Sequence, residues 1–339
     1  MDTGYRAIVV GCGGLGSAAL YWLSRELGDS VLGIEQFELG HDRGASQDHS
    51  RIIRLAQHQS EYAALAPHTY EAFYEIERES GVRVLLKTGG LIIEDPTGRD
   101  PEKVGTRNVE GYVAAFEEHG FDYEVLDPGE LMARWPQFRL GGSERAIFQS
   151  ESGLVDAGKS NAVHVALARA RGATVLDETP VRAVRPSGEG VEVVTDAGTY
   201  HADRVVVASD MWTNEVLRGA GVRIPLTVTQ EQVSYYATPN LREFSPERFP
   251  VFMWHGRDNF YGFPVYGPNG DRVCERAGAS SVAEVDLGLP ERWLYSFGST
   301  LRGSGERWRR TPCPEAVSSQ TESRSPEQLV KRLSPFSVS

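Results

Sequence analysis

The chain has 339 residues, of which 40% are hydrophobic and 24% charged, as in an ordinary globular protein. This composition excludes collagenous, coiled-coil, disulfide-stapled and fully disordered proteins. The net charge of -12 would repel phosphate backbones, so nucleic-acid binding is not expected. Residues 1–267 carry a charge of -13 and residues 268–339 a charge of +1, so the end of the chain differs in kind from the rest.

The number and spacing of the cysteines and the lack of long apolar runs indicate the cellular compartment of the protein. Cys12, Cys274 and Cys313 form an odd set without a CxxC pair, which indicates a reducing environment. The N-terminus has no signal-peptide pattern, and no apolar run is long enough to cross a membrane. The eight histidines lack the spacing of metal ligands, so no metal site is expected. We expect a cytoplasmic protein that does not bind membranes.

The first predicted unit runs from residue 5 to Glu35. A β-branched strand at residues 5–10 is followed directly by a G-x-G-x-x-G motif at residues 11–16 and by an apolar-striped helix to residue 27. A second strand at residues 31–34 ends at Glu35, where a dinucleotide-binding fold places a carboxylate on the ribose hydroxyls. This order of elements predicts dinucleotide binding.

The residues of the glycine motif have separate roles. Gly11 allows a tight turn, Gly13 allows the backbone to approach the pyrophosphate, and Gly16 allows close packing of helix on strand. Gly14 and Leu15 complete the loop, which leads into a helix N-terminus that favours anions. These features leave the choice between FAD and NAD open.

The middle of the chain departs from a plain NAD-binding domain. Residues 40–50 form a polar loop with few apolar side chains, so this loop serves something other than the core. The pattern then predicts a helix at about 61–80, a strand pair within 82–94, a helix at 161–171, strands at 173–176 and 191–195, and a fully buried strand at 204–208. It indicates an α/β protein in which a Rossmann-like domain is interleaved with a sheet-rich substrate domain over the cofactor.

Six motifs in this region carry a resemblance to a known family. They are SRIIR at 50–54, LKTGGL at 86–91, RWP at 134–136, SGLVD at 152–156, VVVAS-x-x-W at 205–212 and FYGFP at 260–264. In order and spacing they resemble the monomeric sarcosine oxidase and N-methyltryptophan oxidase family, over about residues 4–267. That family is flavin-dependent and belongs to the D-amino-acid oxidase superfamily, so the resemblance implies FAD as the cofactor.

The resemblance also implies a domain plan and a reaction. The FAD-binding domain, of the glutathione-reductase and D-amino-acid oxidase type, would comprise residues 1–86 and 147–218, and the β-sheet-rich substrate domain residues 87–146 and 219–267. The family oxidises the C–N bond of sarcosine or related N-methyl amino acids and reduces oxygen to hydrogen peroxide. The implied partners are therefore a small amino acid or amine and oxygen, and the family precedent is a monomer.

The resemblance assigns roles to two arginines. Arg54 resembles the arginine that clamps the substrate carboxylate, which suits a guanidinium fork. Arg51 resembles the arginine against the flavin ring, and the preceding Ser50 is expected at the cofactor. The alternative is that both arginines form ordinary surface ion pairs.

Three further residues are assigned in the same way. Tyr261 and Met253 resemble residues of the substrate pocket, whereas the alternative is plain core packing, since aromatic residues are common in cores. Val181 resembles a residue whose backbone touches the cofactor.

The sequence also departs from the family in three places. Ser46 and Gln47 stand where the family has a pair of histidines, and Asp210 stands where it has a glycine close to the cofactor. Residues 268–339 lack the oxygen-activating lysine, the flavin-linked cysteine segment and the glycine-rich flavin loop, and neither Cys313 nor Lys331 replaces them. This atypical tail shows no strand or helix periodicity, so we expect it to be disordered and the substrate domain to be incomplete.

Two functions therefore stay open. One is an active FAD-dependent amine oxidase of the sarcosine oxidase type. The other is a non-catalytic or truncated FAD-binding remnant of that family. An NAD-dependent dehydrogenase rests on the glycine motif alone and is disfavoured by the six motifs that follow it.

Overall fold

The computed structural model describes residues 4–46, 49–97, 107–228, 232–236, 238–257, 259–267 and 274–278. The helices are α1 Gly14–Leu27, α2 Ser60–Ser80, α3 Val109–His119, α4 Pro128–Arg134, α5 Ala157–Ala170 and α6 Thr213–Val216. The strands are β1 Gly4–Val10, β2 Val31–Ile34, β3 Arg51–Ile53, β4 Leu85–Lys87, β5 Gly90–Glu94, β6 Glu124–Leu126, β7 Arg145–Gln149, β8 Gly153–Val155, β9 Thr174–Leu176, β10 Val181–Ser187, β11 Gly190–Thr195, β12 Gly198–Val207, β13 Gln232–Tyr236, β14 Val251–His255, β15 Phe260–Phe263 and β16 Cys274–Gly278.

A six-stranded sheet in the order β10-β11-β12-β1-β2-β9 forms the first layer. β1 lies at its centre, parallel to both β12 and β2, so that Val10 pairs with Val207 and Ile34. On one face, Leu20 of α1 and Val165 of α5 pack against Val9. The opening strand, helix and second strand predicted from the sequence are confirmed. A β-branched run buried on both faces is the pattern that central parallel strands require.

The prediction of a fully buried strand at residues 204–208 is wrong. This segment ends β12, in which Val205 and Val207 pack on the core while Arg204 and Val206 are exposed. Val206 has 37% of its surface accessible. An apolar run alone does not show whether both faces of a strand are covered.

A seven-stranded sheet in the order β13-β16-β15-β14-β5-β7-β6 forms the second layer. Its largest core contains five buried aromatic side chains, namely Trp135, Phe138, Phe244, Phe249 and Phe252. Phe138 and Phe249 stack with ring centroids 5.2 Å apart. Edge and stacked contacts of this kind add to the free energy gained by burial.

The predicted strand pair within residues 82–94 is present as two strands, but the strands do not pair with each other. β4 belongs to a three-stranded sheet in the order β3-β8-β4, whereas β5 belongs to the seven-stranded sheet. The chain changes sheets at Gly89, which has a φ of 71°. Glycine reaches this left-handed conformation without a steric penalty. Gly89 and Gly90 therefore mark the point where the chain passes from one sheet to the other, and they do not form the turn of a hairpin.

The expectation of no strand after Gly267 is also wrong. β16 lies between β13 and β15, with Ala277 paired to Tyr261 and Val233. The rest of the tail, including Cys313 and Lys331, lies outside the described residues. The domain boundaries stay a prediction. The predicted boundary between residues 146 and 147 falls within β7.

Gly153 lies in β8, the middle strand of the three-stranded sheet, and lets the neighbouring strand β4 approach closely. A Cβ atom on this residue would lie 2.0 Å from the carbonyl oxygen of Leu86 in β4. Gly153 also pairs with Ile53 in β3, so the same residue sets the position of both neighbouring strands.

We expect Gly153→Ala to lower the free energy of unfolding by about 1–3 kcal/mol, because the added methyl group must push β4 away. Urea denaturation followed by circular dichroism measures this. Gly141→Ala is the matched control, since its new Cβ would be 3.5 Å from the nearest atom, an ordinary contact. Equal losses in the two variants would contradict the argument.

His164 is a buried titratable residue of α5 whose ring faces Tyr21 of α1. It is 7% exposed, its ring lies 5.6 Å from that of Tyr21, and its Nδ1 has no hydrogen-bond partner within the described residues. Burial lowers the pKa of His164 to about 4. The imidazole is therefore neutral in the folded protein.

A folded-state pKa below the unfolded value of 6.5 means that the unfolded chain takes up the proton first as the pH falls. His164 should therefore cost about 2 kcal/mol of stability between pH 7 and pH 5. Urea denaturation at both pH values should show this loss in the wild type and a smaller one in His164→Phe. The same pH dependence in both proteins would show that His164 does not titrate in this way.

Candidate functional site

A cavity of about 830 Å³ opens beyond the carboxyl ends of β1, β2 and β12. This is the edge at which open α/β sheets bind their ligands. Six residues predicted to bind the cofactor line it, namely Gly11, Gly13, Gly14, Leu15, Glu35 and Val181. Val181 is the first residue of β10. Gly16 does not line the cavity and lies in the first turn of α1, against the backbone of Gly11.

The glycine loop lets α1 begin directly at the end of β1. A Cβ atom on Gly16 would lie 1.7 Å from the carbonyl oxygen of Gly11, and one on Gly11 would lie 2.4 Å from that of Ala208. The amide of Gly14 at the start of α1 donates to the hydroxyl of Ser46 at 2.7 Å. An oxygen acceptor is thus accommodated at the helix N-terminus, which is the requirement for a pyrophosphate.

Glu35 lies at the end of β2 and is 5% exposed. Its Oε2 accepts from the amide of Cys12 at 2.9 Å, and its Oε1 accepts from that of Phe37 at 3.2 Å. The Nε2 of His41 is 3.3 Å from Oε1, and Nδ1 of the same ring accepts from the amide of Arg43, so Nε2 carries the proton. These donors hold the carboxylate in the wall of the cavity, where it can accept from ribose hydroxyls.

Cys12 lies in the glycine loop but is not a nucleophile. Its side chain is buried, and burial, together with the nearby Glu35, raises the pKa of the thiol to about 12. The thiolate is therefore not populated at neutral pH.

Asp210 accounts for one of the departures seen in the sequence. Its φ is 49°, a left-handed conformation that favours glycine, the residue that the resemblance implies at this position. Its carboxylate accepts from the amide of Ala45 at 2.9 Å, so it joins the end of β12 to the polar loop. The negative charge of Asp210 therefore lies in the lining of the cavity, where the Ala45 amide donates to it.

Arg51 and Ser50 do not line the large cavity. Arg51 donates from Nη2 to the carbonyl of Ala45 at 2.8 Å and from Nη1 to that of Ser50 at 2.7 Å. Ser50 is 1% exposed. Since Ala45 does line the cavity, Arg51 supports its wall, and a contact of Arg51 or Ser50 with the cofactor stays a prediction.

Arg54 follows β3 and lines a second, much smaller cavity of about 10 Å³ together with Met253. Its Nη1 is buried and has no hydrogen-bond partner within the described residues. Met253 of β14 lies opposite Tyr261 of β15 and also packs near Tyr112. Tyr261 packs beside Leu154. The structure therefore brings Arg54 and Met253 to one cavity and places Tyr261 next to Met253 in register.

The sequence did not single out Gln149, which lines the same small cavity. It is the last residue of β7 and is 2% exposed, and its Nε2 has no partner within the described residues. The one signal was an uncharged polar residue ending an apolar strand, AIFQ. That pattern is common and points to no chemistry by itself.

The chain is similar in sequence to known flavin-dependent proteins. Residues 6–307 match the sequence model of the family described as FAD dependent oxidoreductase. The chain belongs to this family. It is 33% identical over 275 residues to a monomeric sarcosine oxidase of Streptomyces avermitilis, covering 79% of this chain and 68% of the relative. It is 25% identical over 298 residues to an N-methyl-L-tryptophan oxidase of Escherichia coli, covering 87% and 76%.

A solved structure supports the same fold for this FAD-dependent oxidoreductase. NikD, described as an unusual amino acid oxidase essential for nikkomycin biosynthesis, aligns with a TM-score of 0.72 at 24% identity, covering 84% of this chain and 72% of NikD. The predicted fold class, family resemblance and FAD cofactor are confirmed, and the family decides between FAD and NAD in favour of FAD. The match extends to residue 307, beyond the limit of 267 set by the motifs.

The described residues contain neither a membrane-spanning helix nor a cluster of metal ligands. No helix there has the length and apolarity that crossing a membrane demands. In the same part of the chain, no group of three or more His, Cys, Asp and Glu residues is placed to hold a metal ion.

Gly16→Ala should abolish FAD binding, because a Cβ 1.7 Å from the Gly11 carbonyl must displace α1 from β1. The measurement is the flavin absorbance retained by the purified protein after reconstitution with FAD. Gly44→Ala is the matched control in the same cavity, where the new Cβ would meet atoms at 3.6 Å. Full flavin content in Gly16→Ala would show that the close approach is not required.

Proposed function

We propose that this protein is an FAD-dependent oxidase of the C–N bond of sarcosine or a related N-methyl amino acid, with oxygen reduced to hydrogen peroxide. The names of its relatives support this substrate class. The observation that carries the proposal is the buried Nη1 of Arg54, which lacks a partner within the described residues and lies beside Met253. A buried guanidinium nitrogen without an acceptor is costly unless a ligand supplies one.

Arg54 binds and orients the substrate in this proposal. Its planar fork matches a carboxylate through charge-assisted hydrogen bonds, and partial burial strengthens them. Met253 and Tyr261 provide an apolar surface for the uncharged amine and its N-methyl group. The carboxylate end is then fixed, while the C–N bond points away from the arginine.

The large cavity holds the cofactor. The glycine loop, Gly11 to Gly16, places the N-terminus of α1 at the pyrophosphate, Glu35 accepts from the ribose hydroxyls, and the backbone of Val181 contacts the nucleotide. Ser50 and Arg51 lie toward the flavin. When bound, FAD would supply the redox chemistry, accepting a hydride equivalent from the carbon beside the nitrogen as the C–N bond becomes C=N and passing the two electrons to oxygen. The chain itself positions the substrate and limits access of water.

The proposal also includes the domain boundaries, the oligomeric state and the cellular compartment. The FAD-binding domain comprises residues 1–86 and 147–218, and the substrate domain residues 87–146 and 219–267. The protein acts as a monomer and is cytoplasmic, as the sequence composition and the family precedent favour.

One experiment tests the proposal and its alternative. The full chain is expressed, examined for a bound yellow flavin and mixed anaerobically with sarcosine. Bleaching of the flavin is the expected result. A bound flavin that stays oxidised with sarcosine and with N-methyltryptophan would favour the non-catalytic remnant, and a colourless protein that binds NADH would exclude both.

Replacing Arg54 by Gln should lower the apparent second-order rate of flavin reduction by sarcosine about 100-fold, since it removes a charge-assisted contact with the carboxylate. Anaerobic stopped-flow absorbance measures this. FAD content should be unchanged, because Arg54 does not line the large cavity.

Arg6→Gln is the matched control for loss of an arginine charge. Arg6 is exposed and pairs with Asp203 at 2.7 Å, and neither residue lines the large or the small cavity. Its rate should equal that of the wild type. A wild-type rate in Arg54→Gln would remove Arg54 from the substrate site.

A further inference from the structure

Gln149 is a fully buried amide with only one end satisfied. Its Oε1 accepts from the backbone amide of Ala56 at 3.2 Å and from the Oγ of Ser152 at 3.1 Å. Because a backbone amide can only donate, this contact fixes which end of the side chain is the oxygen. The Nε2 then points the other way and has no hydrogen-bond partner within the described residues.

The unpartnered amide nitrogen shares its cavity with the unpartnered Nη1 of Arg54. Both groups are donors only, so they call for an acceptor. The cavity measures about 10 Å³, close to the space that a single water-sized oxygen fills. Ile92 and Met253 supply apolar walls. The chemistry of the cavity is therefore that of a site for one oxygen atom with strong acceptor character.

We propose that Gln149 is a second recognition residue for the substrate carboxylate, whose oxygen accepts from Gln149 Nε2 and from Arg54 Nη1 together. This inference rests on the proposed function and adds a specificity determinant to it. A carboxylate oxygen satisfies both donors, whereas an amine without a carboxylate leaves both buried and unpaired. Gln149 thus favours amino acids over simple amines.

A purely structural role does not account for this residue. The link between Ala56 and Ser152 uses only the oxygen of the side chain. The amide nitrogen adds a second buried polar group whose desolvation no group among the described residues compensates. A ligand oxygen placed between Gln149 and Arg54 does compensate it.

Gln149→Glu in the full-length protein tests the inference. The substitution keeps an oxygen acceptor for Ala56 and Ser152 but replaces the donor by a carboxylate oxygen, which would pair with Arg54 and repel the substrate. Binding of sarcosine and of dimethylamine, which lacks the carboxylate, is measured by isothermal titration calorimetry. We expect sarcosine affinity to fall at least about tenfold and dimethylamine affinity not to fall.

Two further variants make the test decisive. Gln149→Met removes the donor without adding charge and should weaken sarcosine binding in the same direction, so a folding failure of Gln149→Glu leaves a second measurement. Gln137→Glu is the matched control, because Gln137 also donates from Nε2, to the carbonyl of Glu243 at 2.6 Å, but does not line this cavity. Its sarcosine affinity should equal that of the wild type.

The outcomes separate the two proposals. Sarcosine binding by the wild type, with unchanged affinity in a folded Gln149 variant, would overturn this inference alone and leave an ordered water as the occupant of the cavity. An equal loss of sarcosine and dimethylamine affinity would also overturn it, since the carboxylate would not be the group recognised. No sarcosine binding by the wild type would overturn the proposed function and this inference together.

Discussion

The close approach of α1 to the end of β1 is the constraint on which the cofactor half of the molecule depends. The Gly11 carbonyl lies where a side chain on Gly16 would begin. Because neither position carries one, the helix starts at the strand end and its first amides face the cavity. Glu35, at the end of the neighbouring parallel strand, then lies on the same edge, where Cys12 and Phe37 fix its carboxylate.

A single short strand connects the two cavities. Arg51 in β3 holds the carbonyl of Ala45 in the wall of the large cavity, and Arg54, just beyond β3, reaches into the small one. β3 is itself held by β8, which pairs with β4 on its other side. The three-stranded sheet therefore holds residues at both cavities, although the two cavities share no lining residue.

The sequence predicted the features that depend on local periodicity and missed those that depend on distant pairing. The glycine unit and α2 follow from spacing within about 35 residues, so they were recovered. The partners of β4 and β5, and the exposed face of β12, depend on which elements fold beside them. Gln149 was missed for the same reason, because Ala56, which folding brings next to it, fixes the position of its amide oxygen, and the sequence does not show this contact.

The position of β16 has a consequence for shortened forms of the chain. β13 reaches the seven-stranded sheet through β16, which in turn covers β15. A protein trimmed by proteolysis at Gly267 would lack β16. β13 would then have no partner strand, and β15, Phe260–Phe263, would become an unpaired edge of the sheet. Bare edges recruit strands from other molecules, so such a fragment would tend to self-associate and precipitate instead of persisting as a smaller flavoprotein.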